Sequence, residues 1–417
     1  MFLDREHLVD RTAPLLTAGY AWLPDRMRAA PDDVVRTRLM GRPALAVRGP
    51  EAVRFFYDER HVRREGALPG PVLSTLFGHG AVHTLDGEAH RVRKAMFLAL
   101  LTPPAQVADL VERTTAAWDD AVGSWRGRPE GVVLFDEAAR VLTVGVCGWA
   151  GVPLGSRDPA AVARDLVSLV DGFATMGPRH WRARAARRRC EAWIAGLVDD
   201  VRGGRTEVPE GSAVDVVARH VDADGRPLDA RTAAVEVLNM LRPTVAVAWF
   251  VTFAAHALHR RPSHRAWLRD GDAARTAAFA HEVRRFYPFA PFTGGRAATD
   301  LTWRGRHVPA GGLVVLDLYG QDHDDALWTD PYAFRPERFL EQPVERDELV
   351  PQGGGDPSSG HRCPGEAFTI ALLEAFAVRL ARLEYTVPEQ DLRIPLRRVP
   401  TRPRSGFRMV VPPAAAG

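Results

Sequence analysis

The sequence predicts a mainly α-helical protein with a small β region. The helical prediction depends on two apolar patterns, a long one over 228–261 and a shorter one over 367–383. The β prediction depends on two short runs, 34–40 and 43–47, separated by a glycine and an arginine as in a hairpin. We therefore expect buried helices to build most of the molecule and strands to occupy one corner.

The composition excludes several classes of protein. Of the 417 residues, 46% are hydrophobic, which suffices for a large core, and the formal net charge of +3 gives no reason to expect nucleic-acid binding. Basic residues are almost all arginine, with Lys94 as the only lysine, a bias typical of a GC-rich genome. The cysteines Cys147, Cys190 and Cys363 offer no disulfide framework and fit a reducing compartment.

No export or membrane-spanning segment is expected. Residues 1–7 do not contain a positively charged stretch followed by an apolar one, as a signal peptide would. No run of eighteen or more consecutive apolar residues occurs in the sequence, although a membrane anchor needs about that length. We therefore predict a cytoplasmic protein without a membrane anchor.

The N-terminal part contains a helical pattern over 51–57 and then a glycine-containing loop that leads into a second helix. Three glycines between residues 78 and 87 mark the loop, and the helical pattern begins at Glu88. His90 and Lys94 are four residues apart, so they share one face of this helix.

The segment 171–181 joins two helical stretches and precedes an arginine-rich run, 182–189. Like charges on a helix are typical of a solvated face, and we interpret the run in this way rather than as a partner-binding surface. Cys190 follows on the same face without a neighbouring histidine or cysteine, which indicates an incidental thiol.

The pattern over 228–261 predicts the longest helix. Asp229 is a suitable N-cap, and such a helix would span roughly 45 Å, enough to cross the molecule. Apolar residues occur almost all round it, so the helix should be buried. Pro243 removes a backbone donor near the middle and predicts a kink. Arg242 would be buried beside it, and its chain neighbours do not provide the anionic partner that it needs.

Two charged motifs follow. Glu282 and Arg285 lie one turn apart on a helix that ends before Pro288. Arg335 and Arg338, in the segment Phe-Arg-Pro-Glu-Arg-Phe, could reach the same carboxylate. Glu-x-x-Arg is weak by itself, because any charged helix face produces it, so its meaning depends on the motif that comes next.

A glycine-rich loop, 351–366, delivers Cys363 to the start of the last long helix; we call it the cysteine loop. Glycines allow a backbone to pass close to a flat partner. A thiolate at the start of a helix is stabilised by amide N–H groups and the helix dipole, and it can serve as a metal ligand. For the loop alone, a turn with a structural cysteine is the alternative.

Together, the Glu282 helix, the segment with Arg335 and Arg338, and the cysteine loop resemble the cytochrome P-450 family. The resemblance covers nearly the whole chain and implies one large domain over 1–417, mainly helical with a small sheet. It also implies haem b, with the Cys363 thiolate as the axial ligand of the iron. The other cofactor contacts that it implies are Arg64, His90, Lys94 and His361. For Arg64, a solvated surface arginine is the alternative.

The chain departs from most cytochromes P-450 in the long helix, where Arg242-Pro243 replaces an acid–alcohol pair that relays protons. No acidic residue precedes Thr244. Arg-Pro at this place resembles the branch of bacterial fatty-acid peroxygenases, which use hydrogen peroxide to hydroxylate fatty acids at Cα or Cβ. Asp356 also replaces a phenylalanine that most of the family has and this branch lacks. Further segments similar to the branch are 177–181, 282–289 and 315–319.

This resemblance implies a reaction and its participants. Arg242, next to Pro243, would bind a fatty-acid carboxylate through two N–H groups, and the carboxylate would move a proton of hydrogen peroxide. No redox partner would be required. The residues that match the branch's substrate pocket are Leu76, Phe77, Ala290 and Phe292, although as bare residues they would be assigned to the core.

His83 decides between two outcomes. Hydroxylating members of the branch have glutamine at the matching position, whereas alkene-forming members have histidine. His83 therefore predicts oxidative decarboxylation to a 1-alkene alongside α/β-hydroxylation; hydroxylation alone, with a histidine that only packs, is the alternative. Three other interpretations stay open: a reductase-dependent monooxygenase of another acidic substrate, a non-catalytic haem or fatty-acid binding protein, and an inactive relative.

Overall fold

The computed structural model describes residues 9–30, 32–173 and 175–414, so the prediction about residues 1–7 lies outside the described part of the chain. The helices are α1 Thr12–Ala18, α2 Trp22–Ala29, α3 Pro50–Tyr57, α4 Gly70–Val72, α5 Gly87–Leu101, α6 Pro104–Trp125, α7 Leu134–Ala150, α8 Pro159–Asp171, α9 Pro178–Arg202, α10 Ala213–Arg219, α11 Ala230–Val245, α12 Val247–Arg260, α13 Pro262–Arg269, α14 Ala273–Phe286, α15 Leu318–Gln321, α16 Arg338–Glu341 and α17 Glu366–Arg382.

The strands are short and gather in small sheets. They are β1 Val34–Leu39, β2 Arg42–Val47, β3 Val62–Arg63, β4 Val132–Val133, β5 Phe292–Ala297, β6 Leu301–Trp303, β7 Arg306–Val308, β8 Leu313–Asp317 and β9 Arg408–Met409. Five of them form one sheet in the order β1-β2-β8-β5-β3, with β2 and β8 parallel and the other neighbours antiparallel. The predicted hairpin is confirmed as β1 and β2, in which Val34 pairs with Val47.

The main core lies between the long helices. Helices α6, α7, α8, α11, α12 and α17 contribute side chains to one large apolar cluster, which includes the fully buried rings of Trp249 and Phe376. Two smaller clusters cover the two faces of the five-stranded sheet, one of them against α3 and the other against α1 and α2. The mainly α fold with a small β region is thus confirmed.

The predicted long helix is present as α11 and α12, interrupted at Ala246. Asp229 caps it by accepting a hydrogen bond from the Thr232 backbone N–H. Pro243 cannot donate to the preceding turn, and the turn after it tightens, with the Trp249 N–H donating to the Ala246 carbonyl at 3.1 Å. The span Ala230–Arg260 is long and apolar enough to cross a membrane, yet 94% of its most apolar window is buried inside the protein, as expected of a core helix.

Glu282 is the centre of a buried ionic cluster. Its two oxygens accept hydrogen bonds from Arg285 at 2.7 and 2.8 Å, and Arg338 donates at 3.2 Å. Arg335 reaches Glu282 through its backbone N–H at 2.7 Å, whereas its side chain pairs with Glu341. Both arginines thus lie at this carboxylate as predicted, Arg338 through its side chain and Arg335 through its backbone N–H.

Helix α9 is not solvated along the whole arginine-rich run. Arg187 and Cys190 are buried, with 2% and 3% exposure, so the prediction of a solvated face is wrong for these two residues. The spacing of apolar residues could have indicated this. Ala183, Ala186 and Ile194 are buried at helical intervals and define an inner face that includes Arg187 and Cys190.

Asp317, at the end of β8, should make the stability of the fold depend on pH. Its carboxyl is fully buried, and burial raises its pKa to about 7 although the Gly320 N–H and Arg48 act to lower it. Because the pKa of this carboxyl is higher in the folded chain than in the unfolded chain, its protonated form contributes to the free energy of unfolding. That contribution is full below about pH 4 and is lost as pH rises through 7. We expect the change in thermal midpoint caused by Asp317→Asn to be about 2–4 °C more favourable at pH 8 than at pH 5. Calorimetry at both pH values checks this, and a difference of the same size in the exposed control Asp325→Asn would contradict it.

Candidate active site

The cysteine loop places Cys363 three residues before α17 begins at Glu366. Gly353 and Gly355 have φ angles of +90° and +78°, and a Cβ atom at either position would collide with Tyr57. Such angles are open to glycine and costly for other residues, so the glycines have a local structural reason. The Cys363 N–H donates to the Gln352 carbonyl at 3.3 Å, and the Gln352 side-chain amide lies 4.0 Å from Sγ.

Sγ has several neighbours that stabilise a negative charge. Burial, the largest effect, and the nearby Glu366 raise the pKa of the Cys363 thiol above its ordinary value, although the Gly365 N–H and the charges of Lys94 and Arg242 act to lower it. The helix dipole of α17 also favours negative charge at this end. Several groups therefore stabilise an anionic sulfur in a buried place, as needed for a thiolate ligand of haem iron.

The four residues predicted to contact the cofactor lie around the same loop. The Lys94 ammonium donates to two carbonyl groups of the cysteine loop, at 2.8 and 2.5 Å. The His90 ring stacks on the His361 ring with their centroids 3.8 Å apart. Arg64 is buried, with its guanidinium 4.1 Å from the centre of the Phe56 ring, so the alternative of a solvated surface arginine is wrong.

Three of these four groups carry buried nitrogen atoms that fit an acidic ligand. In the described chain, Arg64 Nη1, His90 Nδ1 and His361 Nε2 have no hydrogen-bond partner, although His361 Nε2 lies 3.5 Å from Asp86 Oδ1. A buried guanidinium is costly without acceptors, and a neutral imidazole can donate from one ring nitrogen, so both kinds of atom fit carboxylate oxygens. The carboxylate arms of a haem would satisfy them while its iron meets Cys363, so the residues present fit this cofactor.

Arg242 is a buried cation on the inner face of α11. It is 6% exposed, and its Nη2 donates to the side-chain oxygen of Asn239 at 3.2 Å. Its Nε is buried without a hydrogen-bond partner among the described residues. Burial lowers the pKa of Arg242 to about 9, and the charge of Arg187 acts in the same direction. The prediction that chain neighbours offer no anion is confirmed, because the neighbouring acceptor is a neutral amide.

His83 lies on a short turn beside this guanidinium. Its ring centroid is 4.4 Å from that of Phe77, and the Arg242 guanidinium lies 5.5 Å from the centre of the same Phe77 ring. Burial and the charge of Arg242 lower the pKa of His83 well below its usual value, so the imidazole is neutral. Its Nδ1 is buried without a hydrogen-bond partner in the described chain.

The helix shows no acid–alcohol pair at the kink. The Thr244 hydroxyl donates to the Met240 carbonyl at 2.8 Å, which turns it back onto its own helix. Pro243 offers no backbone donor at this place. A proton relay formed by Thr244 with a preceding acid is therefore absent from this stretch of the described chain.

The four predicted pocket residues divide into two groups. Phe77 contacts the His83 ring, and Leu76 packs partly buried against the large core cluster. Ala290 and Phe292 pack instead against the two smaller clusters that cover the sheet. Their assignment to the substrate pocket stays a prediction.

Arg187 is a site residue that the sequence reasoning missed. Its guanidinium donates to the carbonyls of Leu76 and Phe77, at 3.2 and 3.0 Å, and its Nε pairs with Glu191 at 2.6 Å. Gly78, with φ of +88°, follows directly, and a Cβ atom there would collide with Arg187. Arg187 therefore ties α9 to the turn that carries Phe77.

Comparisons with known proteins agree with this geometry. The profile of the family described as Cytochrome P-450 matches residues 275–404. A structure of cytochrome P-450SP alpha (CYP152B1) in complex with (R)-ibuprophen is 40% identical, covers 96% of this chain and 98% of that chain, and superposes with a TM-score of 0.93. Cytochrome P-450EX alpha (CYP152N1) with myristic acid is 37% identical, with a TM-score of 0.91 and 96% of both chains covered.

Two further relatives extend the comparison. Ligand-free cytochrome P-450 OleT is 35% identical, with a TM-score of 0.92 and 96% of both chains covered. A putative cytochrome P-450 137 of Mycobacterium tuberculosis is 27% identical over 97% of this chain and 83% of its own length. The near-complete coverage at 35–40% identity, with the Cys363 loop and the Glu282 cluster in place, shows that the chain belongs to the cytochrome P-450 family and has the CYP152 proteins as close structural neighbours.

Proposed function

We propose that the protein is a haem-thiolate peroxygenase that uses hydrogen peroxide to oxidise fatty acids at Cα or Cβ, giving 1-alkenes and α/β-hydroxy acids. The observation that carries this proposal is the buried Arg242 guanidinium, whose Nε lacks a partner at the place where an acid–alcohol pair is absent. The relative solved with myristic acid supports a fatty acid as the substrate.

The cofactor site follows from the residues around the cysteine loop. Haem b bound there supplies the oxidising chemistry, with Cys363 as the axial ligand. Arg64, His90, Lys94 and His361 hold its carboxylate arms. The buried donors Arg64 Nη1 and His90 Nδ1 support this role.

Arg242 binds the substrate carboxylate and sets the position of the reacting carbons. Nε and one Nη of the guanidinium form a planar pair of donors that matches two carboxylate oxygens. Carbons one and two bonds from the carboxylate are then held close to the oxidising centre, while the alkyl chain extends along apolar side chains. Leu76, Phe77, Ala290 and Phe292 are the proposed lining.

The substrate itself completes the catalytic machinery. Its carboxylate, held by Arg242, acts as the base that moves a proton from one oxygen of hydrogen peroxide to the other. Pro243 leaves no backbone donor to compete for that carboxylate. Because hydrogen peroxide brings both the oxygen atom and the oxidising equivalents, no redox partner is required. A cytoplasmic location accompanies this proposal.

His83 directs the reaction towards decarboxylation. Its neutral imidazole lies beside Phe77 and keeps one N–H donor, with which it can hold the substrate or transfer a proton at the reacting end. Replacing His83 by glutamine keeps a donor but removes the imidazole's acid–base function. We expect His83→Gln to lower the rate of 1-alkene formation by about 100-fold, as for the loss of one acid–base group, while hydroxy acids remain. An unchanged product ratio by gas chromatography would contradict this role.

The test of the proposed function is incubation of purified holoprotein with a series of saturated fatty acids and hydrogen peroxide, followed by gas chromatography and mass spectrometry. Alkenes one carbon shorter than the acid, together with hydroxy acids, are the expected products. Hydroxy acids alone would keep the peroxygenase and remove the decarboxylating role of His83. No product with peroxide, but turnover with ferredoxin, its reductase and NAD(P)H, would overturn the proposal.

A further inference from the structure

Glu236 is a fully buried acid on α11 that the proposed reaction does not use. One of its oxygens, Oε1, accepts hydrogen bonds from the Val82 backbone N–H at 2.8 Å and from Arg93 Nη1 at 2.6 Å. The other, Oε2, accepts from Asn239 Nδ2 at 3.1 Å. Burial raises the pKa of Glu236, and these donors, Arg93 first, act to lower it. Three N–H donors on two oxygens define the group as a carboxylate.

The three residues Glu236, Asn239 and Arg242 follow one another at three-residue intervals along the same helix. Asn239 donates to Glu236 with its NH₂ group and accepts from Arg242 with its oxygen, at 3.2 Å. A carboxylate can only accept, so it requires the NH₂ end of Asn239 to face it. The oxygen must then face Arg242. The orientation of the amide, and with it the acceptor for Arg242, is decided by Glu236.

The same carboxylate holds the turn that carries His83. Val82, whose N–H donates to Oε1, directly precedes His83 on the short turn Val82–Thr84. Glu236 is therefore bonded on one side to the His83 turn and on the other, through Asn239, to Arg242. These are the two groups that define the reacting end of the substrate.

The negative charge of Glu236 is paired with Arg93 and not with Arg242. Arg93 is paired with Glu236 and also with Asp222, at 3.0 Å between Nε and Oδ1. Asn239, which is neutral, stands between Glu236 and Arg242. Arg242 thus donates an orienting hydrogen bond to the Asn239 oxygen, while its positive charge stays free for a substrate carboxylate.

We propose that Glu236 is a positioning residue that orients Arg242 through Asn239 and fixes the His83 turn relative to it. This inference rests on the proposed function, in which Arg242 binds the substrate carboxylate.

The test is Glu236→Gln, an isosteric change that adds a donor. If the glutamine oxygen still accepts the hydrogen bonds from Val82 and Arg93, the glutamine NH₂ group faces the NH₂ group of Asn239. Two donors cannot bond each other, so Asn239 turns round and presents NH₂ to Arg242, which loses its acceptor. We expect the dissociation constant of a fatty acid, measured by calorimetry on holoprotein without peroxide, to rise about tenfold, as expected for a buried hydrogen bond to a charged group.

Two further variants separate positioning from general destabilisation. Asp222→Asn removes the other carboxylate partner of Arg93 but leaves Asn239 as it is, so fatty-acid affinity should stay within twofold of wild type. In an Asn239→Leu background the hydrogen-bond connection from Glu236 to Arg242 is already lost. Adding Glu236→Gln should therefore not change the fatty-acid affinity further. Haem content and circular dichroism confirm that each variant is folded.

Unchanged affinity in Glu236→Gln, an equal loss in Asp222→Asn, or an additive loss in the Asn239→Leu background would each reject a positioning role. Failure of the proposed function looks different, because wild-type holoprotein would then give no product from fatty acids and hydrogen peroxide, whatever its affinity for the acid.

Discussion

Replacing Arg242 by alanine is expected to lower peroxide-driven oxidation of fatty acids by about 100-fold or more, while haem remains bound. Removing one partner of a buried charge pair typically costs about 2–5 kcal/mol, which corresponds to this range of rates. Here the loss has two parts, because the substrate carboxylate loses both its binding partner and the geometry in which it acts as a base. Initial rates with hydrogen peroxide, together with fatty-acid affinity, measure the two parts separately.

Arg188→Ala is the matched control for Arg242→Ala. Arg188 is exposed on α9, so its removal should leave rate and affinity within twofold of wild type. Both variants should keep the thiolate-haem spectrum, since neither Arg242 nor Arg188 is among the residues proposed to hold the haem. Full peroxide-driven activity of Arg242→Ala would show that the carboxylate is not held by this residue, and the substrate-assisted reaction would be wrong.

Replacing Cys363 by serine is expected to abolish activity altogether. Serine keeps the shape of the side chain, but its hydroxyl is a far weaker acid than a thiol, so the helix terminus and the Gly365 N–H have no sulfur anion to stabilise. The variant should lose the absorption signature of a thiolate ligand in its reduced carbon monoxide complex. It should also retain less haem after gel filtration.

Cys190→Ser is the control for the cysteine change. Cys190 is also buried, and burial raises the pKa of its thiol to about 12, so it is a neutral thiol on the inner face of α9. Its replacement should leave the thiolate spectrum and the activity in place. A normal thiolate spectrum in Cys363→Ser would mean that another residue ligates the iron.

Local signals predicted much of this site. Pro243 and the apolar pattern around it indicated a buried, interrupted helix, and this placed Arg242 in the interior without an anion among its chain neighbours. The glycines before Cys363 indicated a loop with special backbone angles, and Gly353 and Gly355 have them. In these cases a residue and its nearest neighbours in the sequence carry the information.

The remaining features depend on contacts between distant parts of the chain. Glu236 reads as a single acid on an apolar helix, and its partner Arg93 lies 143 residues away. Arg187 sits in a run of arginines that resembles a solvated surface, and its role depends on carbonyls more than a hundred residues earlier. One sequence does not show which buried charges meet, because pairing follows from how the helices pack.

The position of Lys94 has a practical consequence for following the protein in solution. It is the only lysine in the chain, it is 3% exposed, and its ammonium is bonded to two carbonyls of the cysteine loop. Burial lowers the pKa of Lys94 to about 8 in the closed loop, and a dissolved reagent reaches the amine only when the loop opens. Apart from the chain terminus, an amine-selective reagent therefore has a single target. One added mass on that residue, timed by mass spectrometry, records how often the loop around the thiolate opens.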